Sequence, residues 1–360
     1  MAIKTTLLVL LTVFCSKVWA FTYMVGHGYT QCTACHISPT GGGILTEYGR
    51  ELSSALISTW SYAHEAQFMN SQWSKKLEKK GIFFGGDVRG VQTYTTNPDT
   101  AQLFLMMANI QAAYKTGRFT GVVSVGQLTN PMQGGLHGNF YATQYYGMLN
   151  LPDNFVLRFG RFEPAFGLNI PDHTTTIKEM IAKVIPDFNL NMVEADYLSE
   201  NWTIQADAGQ TPADYPLSTQ ETVRTLLVDY SFLNRMRAGI SYWDGHGPEI
   251  SRHIIGVHGI FGFTKRFYNL SEFDLEYRNF ENGAYGLSQF AYEIYKGIIP
   301  YFEYQHEQDN LSDHSTLAMT FGLGFHFFPR PHLELSGEYD KTIQASQWSD
   351  GAYLMGHYYF

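Results

Sequence analysis

The sequence predicts an all-β transmembrane barrel of about 16 antiparallel strands, preceded by a small, mostly helical N-terminal segment. Three observations point there. The composition is rich in aromatic residues and poor in charge, a period-two alternation runs from Ile82 to the last residue, and the links between strand-like segments alternate long and short. Of 360 residues, 16% are aromatic and only 16% charged, against roughly 25% charged in ordinary soluble domains. A formal charge of -9 argues against a nucleic-acid partner, which wants a basic face. No apolar run beyond the N-terminal stretch approaches the roughly 20 residues that a spanning helix needs, so a helical membrane bundle is excluded.

Residues 1–20 read as a secretory signal, with Lys4, an apolar core over 7–14, and Val18-Trp19-Ala20 as the cleavage site. The mature chain then begins at Phe21, and Cys15 leaves with the signal. Export places the remaining cysteines, Cys32 and Cys35, in a compartment that permits their oxidation.

Those two cysteines belong to Cys32-Thr33-Ala34-Cys35-His36, the C-x-x-C-H spacing of covalent haem attachment. Two thiols on one turn can form thioethers to both vinyl groups of a haem, and the adjacent imidazole becomes the proximal iron ligand. A zinc site would need two further ligands from a second Cys/His pair, and the mature chain has no other cysteine. A thioredoxin-like disulfide would need a βαβ context, which does not follow. The sequence therefore implies one covalent haem c, with His36 on the iron. Candidates for the distal position are His64, His27, Met24 and Met69, since His or Met fills it in cytochromes. His64 ranks first because a helix expected over 44–56 can fold back over the haem; a five-coordinate iron is the alternative. The Pro39-Thr40-Gly41-Gly42-Gly43 run is a tight connection before that helix.

From Ile82 onward the pattern changes to period two. Phe273, Leu275 and Tyr277 alternate with Asp274, Glu276 and Arg278; Leu333, Leu335 and Tyr339 alternate with Glu334, Ser336, Glu338 and Asp340. A soluble sandwich shows the same alternation, so the links decide. Long links are expected at 97–102, 130–138, 164–191, 209–221, 244–251, 281–289, 307–315 and 341–351, and short ones at 116–118, 151–154, 199–201, 233–234, 296–297 and 329–331. Short turns at one end, long loops at the other and an even strand number are the layout of outer-membrane barrels. In lipid an open edge cannot be tolerated, so the sheet must close.

Ala352, Leu354, Gly356, Tyr358 and Phe360 share one face, and the terminal Phe resembles the assembly signal of outer-membrane porins. Tyr145, Tyr146, Tyr358 and Tyr359 are candidate girdle residues. The link over 164–191 resembles a porin constriction loop; its Asp172 and His173 need no chemistry to explain them. Inward charges are expected to segregate, with Arg89, Arg158, Arg161, Arg235 and Arg237 facing Asp274, Glu276, Glu303, Glu334 and Glu338 across the lumen. Lys75, Lys76, Lys79 and Lys80 read as a solvated helical face at the membrane edge.

A mono-haem segment over 21–80 joined to a barrel over 81–360 resembles the fused outer-membrane cytochrome-porins, whose best-known members in iron-oxidising bacteria pass electrons from extracellular iron inward. Only Cys32, Cys35 and His36 carry over at residue level. Where that family has Pro-x-Phe-Ala-Arg before the haem motif, this chain has Tyr23-Met24-Val25-Gly26-His27, so the resemblance stops short of that run and leaves iron as the substrate open. The resemblance implies residence in outer-membrane lipid, with the haem segment periplasmic or inside the lumen. It also implies electron exchange with a periplasmic carrier or an extracellular donor or acceptor. The alternatives are a diffusion porin with a haem-bearing plug or redox gate, and a barrel anchoring a periplasm-facing cytochrome. A hydrolase is disfavoured because no Ser/His/Asp constellation has recognisable spacing; the reading is a redox protein rather than a conventional enzyme.

Overall fold

The computed structural model describes residues 24, 27–29, 31–62, 72–128, 141–170, 175–184, 188–213 and 215–360. Sixteen antiparallel strands form one closed barrel, each paired with its sequence neighbours and the first with the last. β1 (Ile82–Thr96) and β16 (Gln347–Tyr359) make the seam, in register from Asp87 opposite Tyr359 to Thr95 opposite Gly351. Beyond it, Gly86 and Phe360 exchange backbone hydrogen bonds of 3.2 and 3.0 Å. The alternation that makes these strands also sorts their faces. On β11 (Phe267–Arg278), Phe273, Leu275 and Tyr277 are exposed while Glu272, Asp274 and Glu276 are buried. Apolar outside and charged inside reverses the pattern of a soluble domain.

The links depart in part from expectation. At the end that holds the start of β1, all seven links are short: 117–118, 151–154, 199–201, 233–235, 263–266, 293–297 and 331–332. At the opposite end, 163–189, 211–221 and 309–316 are long, and 129–140 lies outside the described residues. Three links expected to be long are instead two-residue hairpins, at 97–98, 279–280 and 345–346, and the link at 247–250 is also short. Asn279, Phe280, Ala345 and Ser346 all have positive φ, from 47° to 74°, as tight hairpins with the sheet's twist require. The strands reach past the apolar belt, where both faces are polar; alternation fades there and the sequence reads as loop. Tyr145 and Tyr358 are exposed on the outer face, whereas Tyr146 is buried and Tyr359 packs against the lumen core, so half of the expected girdle faces inward.

The lumen is filled rather than open. From the short-link end, residues 24–62 enter it; from the other end, the link over 163–189 folds in, with a helix at Thr176–Ala182. Met24, Tyr29, Cys35, Leu45, Leu52 and Ile57 of the first and Leu168, Ile170 and Ile177 of the second share one apolar core. Inward-facing Ile260, Leu270, Leu287, Ile299 and Phe328 of the wall complete it. The inward loop spans the barrel: the Ala165 N–H donates to Asp207, that of Leu168 to Glu272, and that of Thr176 to Gln305.

The expected segregation of basic and acidic walls is not what forms. Arg158 on β5 (Phe155–Phe162) faces Glu194 on β6 (Leu190–Leu198) at 2.6 Å, both fully buried. Arg237 pairs with Asp229 at 3.4 Å, Arg252 with Glu221 at 2.6 Å, and Arg235 lies in a turn. The reason is desolvation: charge enclosed by a packed lumen must be neutralised by a neighbour, not by an opposite wall. Lys75, Lys76, Lys79 and Lys80 are all exposed, as expected of a solvated face, and Lys75 pairs at the surface with Glu47 at 3.2 Å. Glu194→Ala should therefore cost about 3–5 kcal/mol by stranding Arg158, whereas Arg158→Met with Glu194→Leu should cost less; urea unfolding in detergent micelles followed by tryptophan fluorescence distinguishes the two.

Candidate functional site in the lumen

The Cys-x-x-Cys-His run folds as a single tight turn. Residues Cys32–Ala34 form a 3₁₀ turn, and the N–H groups of Cys35 and His36 both donate to the Cys32 carbonyl, at 3.1 and 3.0 Å. Both sulfurs and the imidazole thus belong to one turn. The chain reverses through Gly41, Gly42 and Gly43, all at positive φ, so that His36 bridges Leu45. Thr46 then caps the helix α1 (Glu47–Leu52), accepting from the Gly49 N–H at 3.1 Å while its own hydroxyl donates to the Ala34 carbonyl at 2.8 Å. The expected helix over 44–56 is shorter, giving way to a π-turn at Ser53–Ile57. Two glycines are required by close approach. A Cβ at Gly49 would lie 2.9 Å from Cys35 Cα, and one at Gly41 would lie 3.1 Å from Cys32 Sγ.

This folded segment spans the short-link mouth. Gln31 donates to the carbonyls of Ser199 and Glu200 on one side, and Thr59 donates to those of Phe328 and Lys296 on the other. The cationic helix α2 (Gln72–Glu78) adds an ion pair between Glu78 and Arg50 of α1. Arg158 of the wall donates to Ser38 Oγ at 3.1 Å and to Thr40 Oγ1 at 3.3 Å, fixing the loop that follows His36.

Cys32 is half-buried at a cleft between this segment, the inward loop and the wall. Phe166, Leu198 and Leu227 give the cleft apolar surface; Lys178 and Arg237 give it cationic groups. Cys35 is buried in the apolar core, and the two sulfurs are not joined. Burial pushes the Cys35 thiol up to about 12, and raises that of Cys32 against the pull of Arg237. Burial also lowers the His36 imidazole to about 4, outweighing backbone hydrogen bonds with Gly42 and Gly43. His36 is therefore neutral at ordinary pH, the form in which an imidazole ligates a metal. Two thiols and an imidazole on one turn are the donor set of a c-type haem; of the three residues only Cys32 lines the cleft, whose cations Lys178 and Arg237 pair with Glu163 and Asp229, while Cys35 and His36 are buried outside its lining.

The distal candidates separate. His27 Nε2 lies 3.2 Å from Glu293 Oε2, Met24 is buried in the same core as Cys35, and His64 and Met69 lie outside the described residues, as do Asp172 and His173. Sequence reasoning missed His332. It sits buried in a two-residue turn against Tyr359, and its N–H donates to Ser53 Oγ at 3.0 Å. Nothing in the sequence around a turn residue signals such a contact.

No protein-family model and no curated protein matches this chain. Solved structures do. OmpT, an outer membrane protein of Vibrio cholerae, superimposes with a TM-score of 0.62 at 10% identity, covering 78% of this chain and 98% of that one. OprB of Pseudomonas putida gives 0.64 at 10% identity over 85% and 99%. An anion-selective porin from Comamonas acidovorans gives 0.58 at 10% over 78% and 99%. The fold is that of outer-membrane porins. At these identities the likeness speaks for architecture alone.

Two tests probe how the segment is seated. Gly49→Ala should force a methyl group against the Cys35 backbone and loosen 32–52 by about 1–3 kcal/mol; protease cleavage within the segment should rise while the barrel keeps its folded gel mobility. His332 is held down to about 4 by burial and by nearby Arg50, whereas an ordinary imidazole titrates near 6.5. Between those values the unfolded chain has bound a proton and the folded one has not. Its contribution, about 3 kcal/mol, is therefore complete above pH ~6.5 and lost as pH falls toward 4. His332→Gln should flatten stability over that window in acid-titrated unfolding curves.

Proposed function

We propose that this chain is an outer-membrane barrel that carries one covalently attached haem c in its lumen and uses it to transfer electrons. The observation that carries the reading is the position of the Cys32-x-x-Cys35-His36 turn: inside the barrel, beside a cleft shared with the loop that enters from the opposite end. Membrane residence is supported by the outer face, where Phe273, Leu275, Ile255, Val257, Leu323 and Leu354 are all exposed, a surface suited to hydrocarbon rather than water. In this reading Cys32 Sγ and Cys35 Sγ bear the thioethers, and His36 holds the iron as a neutral imidazole. Lys178 and Arg237, which line the same cleft as Cys32, are the cations that propionates would draw from their pairs with Glu163 and Asp229. The bound haem supplies reversible one-electron chemistry; the chain's part is to hold it in an enclosure of low polarity and away from bulk water.

An apolar belt of about 25 Å sets the distance to be bridged. A haem held only at the mouth leaves most of it uncrossed, whereas one between plug and inward loop is reached from both sides. The filled lumen also bears on the diffusion-porin alternative, since free passage of solute requires the segment over 24–62 to leave its seat.

Cys32→Ala with Cys35→Ala should abolish haem staining on a denaturing gel, and His36→Ala should keep the stain but shift the Soret band. Proteoliposomes with an electron acceptor inside and an impermeant reductant outside should show transfer that needs both cysteines. Unchanged staining in the double variant overturns the attachment, and solute flux without transfer favours the porin.

A further inference from the structure

A second site lies far from the lumen. Along β9 (Met236–His246) the outer face carries Ile240 and Tyr242 and then turns polar at Asp244 and His246, where the strand passes beyond the apolar belt. On β10 (Ser251–Gly262), His253 stands directly opposite Asp244 in the register, and so on the same face. Asp244 Oδ1 lies 3.1 Å from His246 Nε2 and 3.0 Å from His253 Nδ1, and one donor atom from each of the three residues falls within 4.8 Å of the others. We infer that Asp244, His246 and His253 form a binding site for a divalent transition-metal ion of the zinc class, on the outer rim of the barrel at the long-link end.

The donor set argues for that class. Two imidazoles and one carboxylate suit zinc, nickel or copper; calcium and magnesium want oxygen ligands throughout. Tetrahedral ligands at about 2.0–2.1 Å from the ion stand about 3.3 Å from one another, close to the two carboxylate–imidazole spacings seen here. A site of this kind also needs outer groups that orient the ligands. His246 presents its second nitrogen, Nδ1, to Ser251 Oγ at 3.1 Å, and the His253 ring stacks on Tyr277 with ring centroids 6.4 Å apart. Arg224 approaches the other carboxylate oxygen, Oδ2, at 3.5 Å, which holds Asp244 in place and leaves Oδ1 for the ion. Tyr242 hydroxyl lies 3.4 Å from His253 Nδ1 and would turn to solvent when the ion takes that nitrogen. Three protein donors leave one coordination position open to the outside, as in sites that exchange a water or a small ligand.

The test uses the full chain in detergent, purified without a histidine tag. Cys32→Ala and Cys35→Ala are present so that thiols do not compete. Calorimetric titration with zinc chloride should saturate at one ion. His246→Gln and His253→Gln should each weaken that binding by more than tenfold, and Ser251→Ala by about tenfold, in the range seen when an outer-shell partner is removed. Cobalt substitution should give the visible bands of a four-coordinate nitrogen–oxygen site, absent in His253→Gln. Zinc binding that is undetectable, or that is unchanged in the His246→Gln and His253→Gln variants while folded gel mobility is kept, overturns the assignment.

Discussion

Everything in this molecule follows from the volume that a ring of sixteen strands encloses. Wall side chains alone cannot fill a lumen of that girth, and the chain fills it from both ends. The segment over 24–62 enters from the mouth with short turns, and the link over 163–189 enters from the other. The two meet in a common apolar core, and this explains an inward face that would make little sense around water. Leu270, Leu287 and Ile299 point into the barrel because Leu52, Ile57 and Ile177 are there to receive them.

Filling the lumen removes water from charges that an open pore would leave hydrated, and the polar network answers that cost. Arg158 is its centre. It faces Glu194, lies 3.8 Å from the centroid of the Phe162 ring, and donates to Ser38 and Thr40. Ser38 is two residues from His36, so wall and motif are mechanically one unit. Each buried hydrogen bond of this kind contributes on the order of 1 kcal/mol, but leaving its partner unsatisfied costs more. The seat of the Cys-x-x-Cys-His turn is thereby set by wall residues more than a hundred positions away in the chain.

The barrel itself was legible from the sequence because its two faces meet different solvents, and that contrast is written residue by residue in β11 and β15 (Leu333–Gln344). Strand number and the even count followed from the same signal. What escaped were places where the contrast disappears. Hairpins at 279–280 and 345–346 lie beyond the apolar belt, and the inner face of β12 (Glu281–Tyr292) is apolar because the plug covers it. The local chemistry of Cys32, Cys35 and His36 was readable because their spacing is short. Arg158, Lys178, Arg237 and His332 reach the same region from distant strands, a loop and a turn, and no local pattern announces such encounters. The rim group of Asp244, His246 and His253 was missed for the same reason, since its members are joined by cross-strand register rather than by sequence spacing.

The seam between β1 and β16 also dictates an order of events. The plug is encoded ahead of β1, yet the wall around it is complete only when the last strand pairs with the first. That pairing joins residues as far apart in the chain as Asp87 and Tyr359, a non-local contact of the kind that is slow to form. Until it forms, the sheet is an open trough in which residues 24–62 can settle sideways, with no opening to thread. Once Phe360 and Gly86 exchange their backbone bonds, the segment is enclosed on every side by paired strands. Leaving or entering then requires the mouth. In the closed barrel the wall leaves a bulky partner no side approach to Cys35, which is buried in the core that plug and wall share.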